Sequence, residues 1–391
     1  MPTPKKILEL TNFSAGACGV WTRVFQESKE LTKKGHKVIV FSSKATKGSN
    51  QIAPETDNFE GIEIMRFPFK KLGGESFMKW FNKEAMQKAL EFQPDIIIAH
   101  VYRHPHTLKA LDLAKKLRKQ NINCKCFLVT HAPFVEDDST RSFFAKIIVR
   151  IYDNSIGPKN LKKFDKIIAI TQWELPYLEN LNVKKDRVVY IPNGIPKEFF
   201  SQKSKEKEQN KILFFGRISP IKDIETLIEA FNLMQRNSIF RQKNIILEIV
   251  GPAEQAYLEK LKTLVKQKNL TNKVVFGEPV YDLKQKIKKI DSAKIFVLSS
   301  KRDAMPQALI EVMAREKLVI SSLTQGGKEI IDNARNGFLF NIQDPQGLTD
   351  EIEFATNSKN SKLINKIKHQ AKKSVTKFRW DVLVKKLENL F

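Results

Sequence analysis

The chain has few cysteines, no long apolar run and no acidic excess. Its three cysteines are too few for a disulfide framework, which favours a reducing compartment. Cys124 and Cys126 lack the two-residue spacer of redox and zinc motifs. No apolar run reaches the roughly 18 residues that span a bilayer, so no transmembrane helix is predicted. Residues 1–6 lead directly into a strand, and we therefore expect no signal peptide and a cytoplasmic protein.

Positive charge dominates the composition. The chain has 68 Lys and Arg against 43 Asp and Glu, a net charge of +25. This excess could serve binding to nucleic acid, to an anionic membrane surface or to anionic substrates. It could also reflect a compositional bias towards lysine. The absence of zinc-finger spacing and of an RNA-binding aromatic signature argues against nucleic acid. We interpret many lysines as solvated on polar helix faces, among them Lys115, Lys116, Lys284, Lys286 and Lys288.

Apolar strand-like runs alternate with helical patterns along the whole chain, which predicts an α/β fold with parallel sheets. The first series comprises residues 38–41, 96–99, 126–129 and 167–170, and the second comprises 212–215, 245–250, 274–276, 295–298 and 318–321. A polar stretch separates them, and the length favours two domains. We therefore predict domains at 1–200 and 211–375, a linker at 201–210 and a final amphipathic helix at 376–391.

Residues 300–314 are the most informative stretch. They follow a predicted strand, and Pro306, a residue preferred at the first helical position, predicts a helix after it. Asp303 then lies in the strand-to-helix loop and Glu311 on the helix. Ligands bind at the carboxyl ends of strands in open α/β sheets, and the free N–H groups at a helix start suit a phosphate. The stretch predicts a nucleotide-sugar pocket that includes the amides of Gln307, Ala308 and Leu309.

A second element follows the predicted strand at 211–215. Gly216 forms a turn, and Arg217 and Lys222 belong to the connection between this strand and the next amphipathic helix. A guanidinium fork and an ammonium at this position can clamp a diphosphate.

At these residues the chain resembles the retaining glycosyltransferases of family 4. The matching segments are Gly216-Arg217 with Lys222, Asp303-Ala-Met-Pro306, Glu311-Val-Met-Ala314, Ile191-Pro-Asn-Gly194, Gly326-Gly327, Asn336-Gly337, Cys18-Gly19-Val20 and Gly35-His36. Asp303 replaces the usual glutamate and Cys18 the usual first glycine. The resemblance implies the GT-B fold, with two doubly wound Rossmann-like domains facing a central cleft and a C-terminal helix that crosses back to the first domain.

The resemblance also implies roles for the second-domain residues. Arg217 and Lys222 would stabilise the leaving nucleoside diphosphate, with Gly216 beside them. Glu311 would accept hydrogen bonds from the ribose, and Asp303 would hold a hydroxyl of the donor sugar. The alternatives are structural: a lysine partner for Glu311 and a helix N-cap for Asp303.

Two first-domain residues are further candidates. His131 ends the strand at 126–129 and would contact a sugar hydroxyl or steady charge at the anomeric carbon. The N–H of Gly19 would face the phosphate or the acceptor. Structural roles are the alternatives, a strand-end histidine and a glycine needed only for its turn. His36 matches a structural position of the family and is assigned no chemistry.

The resulting hypothesis is a retaining glycosyltransferase that moves a sugar from a nucleotide-sugar donor to a hydroxyl of a glycan or lipid-linked acceptor. No cofactor or catalytic metal is predicted, because Asp137-Asp138 has no third ligand in sequence reach. The alternatives are a sugar-nucleotide epimerase and a basic binding protein with a degenerate site. The sequence does not name the sugar, the base or the acceptor.

Two segments combine apolar and basic residues in a way that suits an anionic membrane surface. Residues 66–83 interleave aromatics with Lys70 and Lys71, and residues 142–152 predict a helix with an apolar face. Either could place the protein at the inner face of the membrane, although such helices more often pack on their own core.

Overall fold

The computed structural model describes residues 3–16, 18–71, 77–134, 143–201 and 206–391. These form two compact units. The first extends to Gly194 and also includes Trp380–Phe391, and the second is Ile195–Arg379. The predicted boundary at residue 200 and the described part of the 201–210 linker therefore lie within the second unit. Residues 202–205 of that linker lie outside the described residues, as do Asp137 and Asp138.

The first unit is an α/β sandwich around one large sheet. Its strands are β1 (Lys6–Leu10), β2 (Lys37–Ser43), β3 (Thr56–Phe59), β4 (Ile62–Phe67), β5 (Lys70–Lys71), β6 (Met78–Lys79), β7 (Ile96–His100), β8 (Lys125–Val129), β9 (Lys166–Ala169) and β10 (Val188–Tyr190). Its helices are α1 (Gly19–Lys33), α2 (Lys83–Phe92), α3 (Pro105–Lys119), α4 (Phe143–Asn154), α5 (Ile156–Leu161) and α6 (Leu175–Asn180).

The large sheet of this unit has the order β10-β9-β8-β7-β1-β2-β4-β3, and β5 pairs with β6 separately. Its strands are parallel except β3, which pairs antiparallel with β4 at the edge. The strands are nearly continuous apolar runs because helices cover both faces of such a sheet. The strand order proceeds in opposite directions from β1, towards β2 on one side and β7 on the other. The carboxyl ends of β1 and β7 therefore form a topological switch point, where ligands bind in this class of sheet.

The second unit repeats this architecture. Its strands are β11 (Lys211–Phe215), β12 (Ile246–Val250), β13 (Val274–Gly277), β14 (Ile295–Leu298), β15 (Leu318–Ser322) and β16 (Phe338–Phe340). Its helices are α7 (Ile224–Arg236), α8 (Ser238–Gln242), α9 (Gln255–Gln267), α10 (Leu283–Ser292), α11 (Gln307–Ala314), α12 (Gln325–Ile330), α13 (Pro345–Thr356) and α14 (Ser361–Val375).

The sheet of the second unit is parallel throughout, with the order β13-β12-β11-β14-β15-β16. Numbered from β11, this is the order of the doubly wound dinucleotide-binding fold. Its switch point lies between β11 and β14, the two strands that precede the predicted site residues. The doubly wound α/β class predicted from the sequence is confirmed for both units.

A final helix, α15 (Trp380–Glu388), belongs to the first unit, as the predicted crossover requires. The fit of Trp380 against Gly194 is close, since a Cβ on this glycine would lie 2.8 Å from the indole. The guanidinium of Arg23 also lies near this indole, 5.3 Å from the ring centroid of Trp380. His36 bonds Glu388 of the helix at 3.1 Å. The family-like residues Gly194 and His36 thus serve to dock α15.

Candidate functional site

Five predicted residues lie at the carboxyl ends of β11 and β14. Gly216 and Arg217 follow β11, and Lys222 ends the short 3-10 turn Pro220–Lys222 before α7. Asp303 lies between β14 and α11, and Glu311 lies on α11. Because β11 and β14 are adjacent, the topology brings these residues to the switch point of the second unit.

An ion pair joins the two loops of this switch point. The ammonium of Lys222 lies 2.7 Å from Oδ1 and 2.9 Å from Oδ2 of Asp303. Both side chains are mostly buried, with 17% and 15% of their surface exposed. The hydroxyl of Ser299 donates to the carbonyl of Lys222 at 3.0 Å and fixes the same loop. The sequence predicted both residues as ligand contacts but not their pairing.

Gly326 supports the loop that carries Asp303. Its N–H donates to the carbonyl of Asp303 at 2.9 Å. A Cβ at Gly326 would lie 2.7 Å from the carbonyl oxygens of Asp303 and Ala304, closer than real side chains approach. Only a glycine lets the two backbones meet here. Gly326 therefore fixes the backbone of the loop that carries Asp303.

Glu311 is buried and paired with Lys286 of α10. The ammonium of Lys286 lies 2.7 Å from Oε1 and 2.6 Å from Oε2 of Glu311. It also lies 5.0 Å from the ring centroid of Phe215, at the end of β11. The interpretation of Lys286 as a solvated lysine is therefore wrong, because its ammonium is held by a carboxylate and an aromatic face. The lysine partner that was the alternative for Glu311 is present, and the carboxylate keeps further lone pairs for a hydroxyl donor.

Arg217 remains accessible at this edge. Its side chain is 41% exposed, and its contact with Glu254 is 3.9 Å, too long for a hydrogen bond. Gly216 lies directly before it, and a Cβ on Gly251 of the neighbouring loop would lie 1.9 Å from the carbonyl oxygen of Gly216. The close approach of these loops fixes the backbone from which Arg217 projects.

The start of α11 differs in detail from the prediction. Pro306 occupies the N-cap position, with ψ of 102°, and the helix begins at Gln307. Leu309 is fully buried, and its N–H already donates to the carbonyl of Pro306 at 3.1 Å. The backbone of Leu309 is therefore engaged, whereas Gln307 and Ala308 are partly exposed at the helix start. The latter two stay predicted phosphate contacts.

Gly19 and His131 lie in the first unit. Gly19 is the first residue of α1, and a Cβ there would meet nothing within 4 Å. Neither packing nor a positive φ requires this glycine, in contrast to Gly16, whose φ is +82°. His131 follows β8 with a φ of 59° and is partly buried. Burial lowers its pKa well below the usual value, which favours a neutral ring.

His131 belongs to a buried polar cluster. The sequence analysis did not predict this cluster. Nε2 of His131 lies 2.9 Å from Nδ1 of His100, and Nε2 of His100 lies 2.6 Å from Oε2 of Glu9. Glu27 adds a second carboxylate and pairs with Arg23 at 3.0 Å. The available signal was Glu9 itself, a charged residue within the apolar strand Ile7-Leu-Glu-Leu10. Charges are rarely buried in a strand without a partner.

Three members of this cluster, Glu9, Glu27 and His100, have potential metal-ligating atoms within 4.8 Å of one another. The guanidinium of Arg23 already bonds Glu27 and supplies a positive charge in the same place. Burial raises the pKa of both carboxyl groups and lowers that of His100 to about 3. The cluster therefore combines the ion pair of Arg23 with Glu27 and the hydrogen bond between Glu9 and His100. Oε1 of Glu9 and Oε1 of Glu27 have no hydrogen-bond partner among the described residues.

The two units match two sequence models. A model described as "Glycosyl transferases group 1" matches residues 196–374, and one described as "Glycosyltransferase Family 4" matches residues 17–199. This chain belongs to the family 4 glycosyltransferases. The match does not favour an epimerase or a degenerate binding protein.

Individual relatives of this glycosyltransferase agree with that assignment. An uncharacterized glycosyltransferase of Methanocaldococcus jannaschii, MJ1069, is 28% identical over 309 residues, which are 76% of this chain and 74% of that protein. A Campylobacter jejuni protein named GalNAc-alpha-(1->4)-GalNAc-alpha-(1->3)-diNAcBac-PP-undecaprenol alpha-1,4-N-acetyl-D-galactosaminyltransferase is 28% identical over 231 residues. That match spans 58% of this chain and 61% of the relative.

Solved structures show the fold. Anabaena Alr3699/HepE, crystallised in complex with UDP-glucose, superposes with a TM-score of 0.75 at 16% identity. The match covers 98% of each chain. A glycosyltransferase from Rickettsia africae gives a TM-score of 0.73 at 20% identity and covers 99% of this chain and 98% of that one. The predicted GT-B fold is confirmed for this glycosyltransferase.

The two segments of the glycosyltransferase that could face a membrane differ in burial. In the segment at 66–83, Phe67, Met78, Trp80 and Phe81 are buried in the core of the first unit. The indole of Trp80 donates to Oδ1 of Asn12 at 3.0 Å. Its aromatic residues therefore serve the fold, while Lys70 and Lys71 are exposed. Residues 72–76 lie outside the described residues.

Helix α4 behaves differently, because none of its residues is buried. One stripe presents large apolar side chains with exposed fractions between 40% and 76%: Phe143, Phe144, Ile147, Ile148 and Ile151. Lys146 and Arg150 are exposed beside them. At its other end the helix is anchored by Asp153, whose Oδ1 accepts a 2.8 Å hydrogen bond from Arg103. Residue 142 of the predicted helix lies outside the described residues.

The helices were also compared with the length and hydropathy needed to cross a bilayer. Among the described residues, every helix is too short or too polar to do so.

Proposed function

We propose that this family 4 glycosyltransferase transfers a sugar from a nucleotide-sugar donor to an acceptor hydroxyl, with retention of the anomeric configuration and without a catalytic metal. The observation that carries the proposal is the grouping of two cations, Arg217 and Lys222, with two acids, Asp303 and Glu311, at the carboxyl ends of β11 and β14. A nucleoside diphosphate and its sugar need both kinds of group.

The cations suit the leaving diphosphate. Arg217 offers an accessible guanidinium fork, and the ammonium of Lys222 keeps an N–H beyond those that face Asp303. Negative charge grows on the departing phosphate oxygen in the transition state, so fixed cations there lower the barrier. The amides of Gln307 and Ala308 at the start of α11 add the positive end of a helix dipole. These groups support a metal-independent reaction.

The acids suit the neutral parts of the donor. The Lys286 ammonium fixes the carboxylate of Glu311, which then has a set orientation for the ribose hydroxyls. Asp303 is fixed by Lys222 in the same way and would accept from a sugar hydroxyl. In the first unit, a neutral His131 suits a hydrogen bond to a sugar hydroxyl better than stabilisation of positive charge. The N–H of Gly19 stays a proposed contact of the phosphate or the acceptor.

Retention follows in this proposal from attack on the same face as departure. The acceptor oxygen forms its bond to the anomeric carbon as the bond to the phosphate oxygen breaks, and that phosphate oxygen takes the acceptor proton. The proposal needs no enzyme nucleophile. It is supported by the family resemblance and by the cations that would stabilise a phosphate acting as base.

We propose further that the acceptor is a lipid-linked glycan met at an anionic membrane surface. The Campylobacter relative carries an undecaprenol-linked glycan in its name. The exposed apolar stripe of α4, with Lys146 and Arg150 beside it, suits an interfacial helix on anionic lipid. The net charge of +25 would attract the whole protein to such a surface.

The experiment that tests the donor assignment begins with a thermal-shift screen of nucleotide sugars and nucleoside diphosphates, because a ligand of the folded state raises apparent stability. The donor that binds is then incubated with lipid-linked and soluble glycan acceptors, and NMR gives the anomeric configuration of the product. A product with the donor's configuration supports the proposal, and an inverted product contradicts retention. Wild-type binding that persists unchanged in Arg217→Ala and Lys222→Ala contradicts the assigned diphosphate site.

A further inference from the structure

A hydrogen-bonded chain crosses the switch point of the first unit. It runs from Glu9 on β1 to His100 at the end of β7 and then to His131 after β8. Glu9 and His100 are fully buried. β7 pairs with both β1 and β8, so adjacent parallel strands fix all three positions. The contacts are 2.6 Å and 2.9 Å, well within hydrogen-bond range.

The chain couples the protonation of Glu9 to the tautomers of two histidines. A neutral imidazole has one N–H and one acceptor nitrogen. If the carboxyl group of Glu9 carries a proton, it donates to Nε2 of His100, and Nδ1 of His100 then donates to Nε2 of His131. The proton of His131 must then be on Nδ1. If Glu9 is ionised, every donor and acceptor reverses, and Nδ1 of His131 becomes an acceptor.

Charge balance in the cluster decides between the two states. Two carboxyl groups, Glu9 and Glu27, face one cation, Arg23, which pairs with Glu27 at 3.0 Å. With the histidines neutral, the buried cluster is uncharged only if one carboxyl group is protonated, and an uncompensated buried charge is costly. Glu9 is the acid without the guanidinium partner. Its Oε1 has no hydrogen-bond partner among the described residues, so its proton belongs on Oε2, facing His100.

The other elements around the chain do not change this balance. From α3, His106 lies against His100, with its Nε2 2.8 Å from the carbonyl oxygen of His100. Burial lowers the pKa of His106 well below its usual value, so it is neutral as well. His104, at the start of α3, is the remaining titratable side chain of that element here, and its Nδ1 lies 2.5 Å from the amide nitrogen of Asn12.

We propose that Glu9 and His100 are positioning residues that hold the proton of His131 on Nδ1, so that this nitrogen donates a hydrogen bond to a hydroxyl of the bound sugar. The inference rests on the proposed function for the contact with sugar, and the tautomer is a separate property of the first unit. Neither Glu9 nor His100 touches the substrate in this proposal.

The test is NMR of histidine-ring nitrogens in the full chain, labelled with ¹⁵N histidine and assigned with His131→Gln and His100→Gln. At pH 7 the wild type should show His131 protonated on Nδ1. As the pH rises above the raised pKa of Glu9, about 8, the proton should move to Nε2. In Glu9→Gln, whose amide can still donate to His100 but cannot ionise, the Nδ1 tautomer should persist up to pH 9.

Glu388→Gln is the matched control. Glu388 also bonds a histidine of the first unit, His36, at 3.1 Å, but it has no connection to His131 in the described structure. It should change the His36 signals and leave His131 unchanged. An Nε2-protonated His131 in the wild type at pH 7 overturns the proposal. So does a wild-type tautomer change above pH 8 that Glu9→Gln reproduces.

Activity then separates this inference from the proposed function. Glu9→Leu, which can neither donate nor accept, should lower kcat on the order of tenfold, the scale of one hydrogen bond. Combined with His131→Gln it should cause no further loss. If His131→Gln alone leaves kcat unchanged, the sugar contact is wrong even though the tautomer is as proposed. If Glu9→Leu folds and keeps the wild-type tautomer, the positioning role is wrong.

Discussion

The ammonium of Lys222 bonds both carboxylate oxygens of Asp303. The cation predicted to bind the diphosphate and the acid predicted to bind the sugar therefore form one ion pair. The sequence alone assigns these residues to separate parts of the donor. Their pairing means that Asp303 also sets where the ammonium of Lys222 lies. A change at either residue should therefore affect the other.

The first prediction concerns the two cations. Arg217→Ala and Lys222→Ala should each lower turnover by on the order of 10²-fold or more, the scale of a lost charge stabiliser. Asp303→Asn should weaken diphosphate binding as well as sugar use, and its effect should not add to that of Lys222→Ala because the residues are in contact. Steady-state kinetics and calorimetry with the nucleoside diphosphate provide the measurements.

Lys301→Ala is the matched control for these cations. Lys301 lies on the same side of the sheet, is 44% exposed and has a longer contact of 3.7 Å with Asp223. Its removal should change turnover little. Wild-type turnover in both Arg217→Ala and Lys222→Ala would show that the diphosphate binds elsewhere.

The second prediction separates a ligand contact from an ion pair at Glu311. Glu311→Gln should weaken the nucleoside diphosphate, because the amide is a poorer acceptor for ribose hydroxyls than a carboxylate. Lys286→Met should mainly lower thermal stability, since it leaves a buried carboxylate without its partner. Calorimetry and thermal unfolding on both variants make the comparison. Equal losses of diphosphate affinity would mean that Glu311 acts only through the ion pair.

The third prediction concerns metal dependence. Activity should survive excess chelator, because Arg217, Lys222 and the start of α11 are proposed to supply the positive charge that a metal otherwise gives. Transfer is measured with and without chelator on the same preparation. Loss of activity that Mg²⁺ or Mn²⁺ restores would contradict the proposal.

The fourth prediction concerns membrane binding through α4. The protein should float with anionic vesicles at low salt and less so as salt rises, since screening shortens the reach of surface charge to about 8 Å at physiological ionic strength. Phe143→Ser with Phe144→Ser should weaken flotation, as should Lys146→Glu with Arg150→Glu. Both pairs are exposed on one helix.

Two controls lie in the second unit. Tyr281→Ser removes an aromatic side chain that is 77% exposed, close to the 76% of Phe144. Lys284→Glu with Lys288→Glu reverses two exposed charges on α10 and avoids Lys286. Both controls should float more than the α4 variants. Absence of flotation at low salt would point to a soluble acceptor and leave the +25 charge as a compositional bias.

The fifth prediction is a fall in stability between pH 6.5 and 8. Burial raises the pKa of Glu9 to about 8, so the folded protein keeps a proton that the unfolded chain releases near its ordinary pKa of 4.5. Unfolding therefore releases a proton in this window, and the unfolding free energy falls as pH rises. His100, with its pKa lowered to about 3, has the opposite effect, but only below 6.5.

Hydrogen exchange of the β1 and β7 amides measures this locally, without assuming that the two units unfold together. Glu9→Gln should reduce the slope by up to about 1.4 kcal/mol per pH unit, the value for one proton. Identical slopes in the two proteins would show that Glu9 releases no proton on unfolding in this range.

Five of the six strands of the second unit, β11 to β15, could be predicted from the sequence to within one residue at each end. The run at 212–215 becomes β11, and that at 295–298 is β14. Apolar periodicity and a proline or glycine at each turn are local signals, so they suffice for this. Since parallel strands align their carboxyl ends, the same signals also bring Arg217 and Asp303 to one edge.

The pairing of side chains could not be predicted. Lys222 and Asp303 are 81 positions apart and Lys286 and Glu311 are 25 apart, and nothing local indicates which lysine meets which acid. The same limit applies to the segments at 66–83 and 142–152, which both combine apolar and basic residues in sequence. Whether an apolar face is covered depends on neighbours distant in the chain, which bury Trp80 and leave Phe144 exposed.

The position of α15 has a consequence for biosynthesis. Arg23 and Gly194 emerge from the ribosome early, but Trp380, which packs against both, is made only after the whole second unit. Domains generally fold as units while the chain is synthesised. The second unit can therefore be complete while the first still lacks its last helix. The first unit of the nascent enzyme is therefore completed after the second.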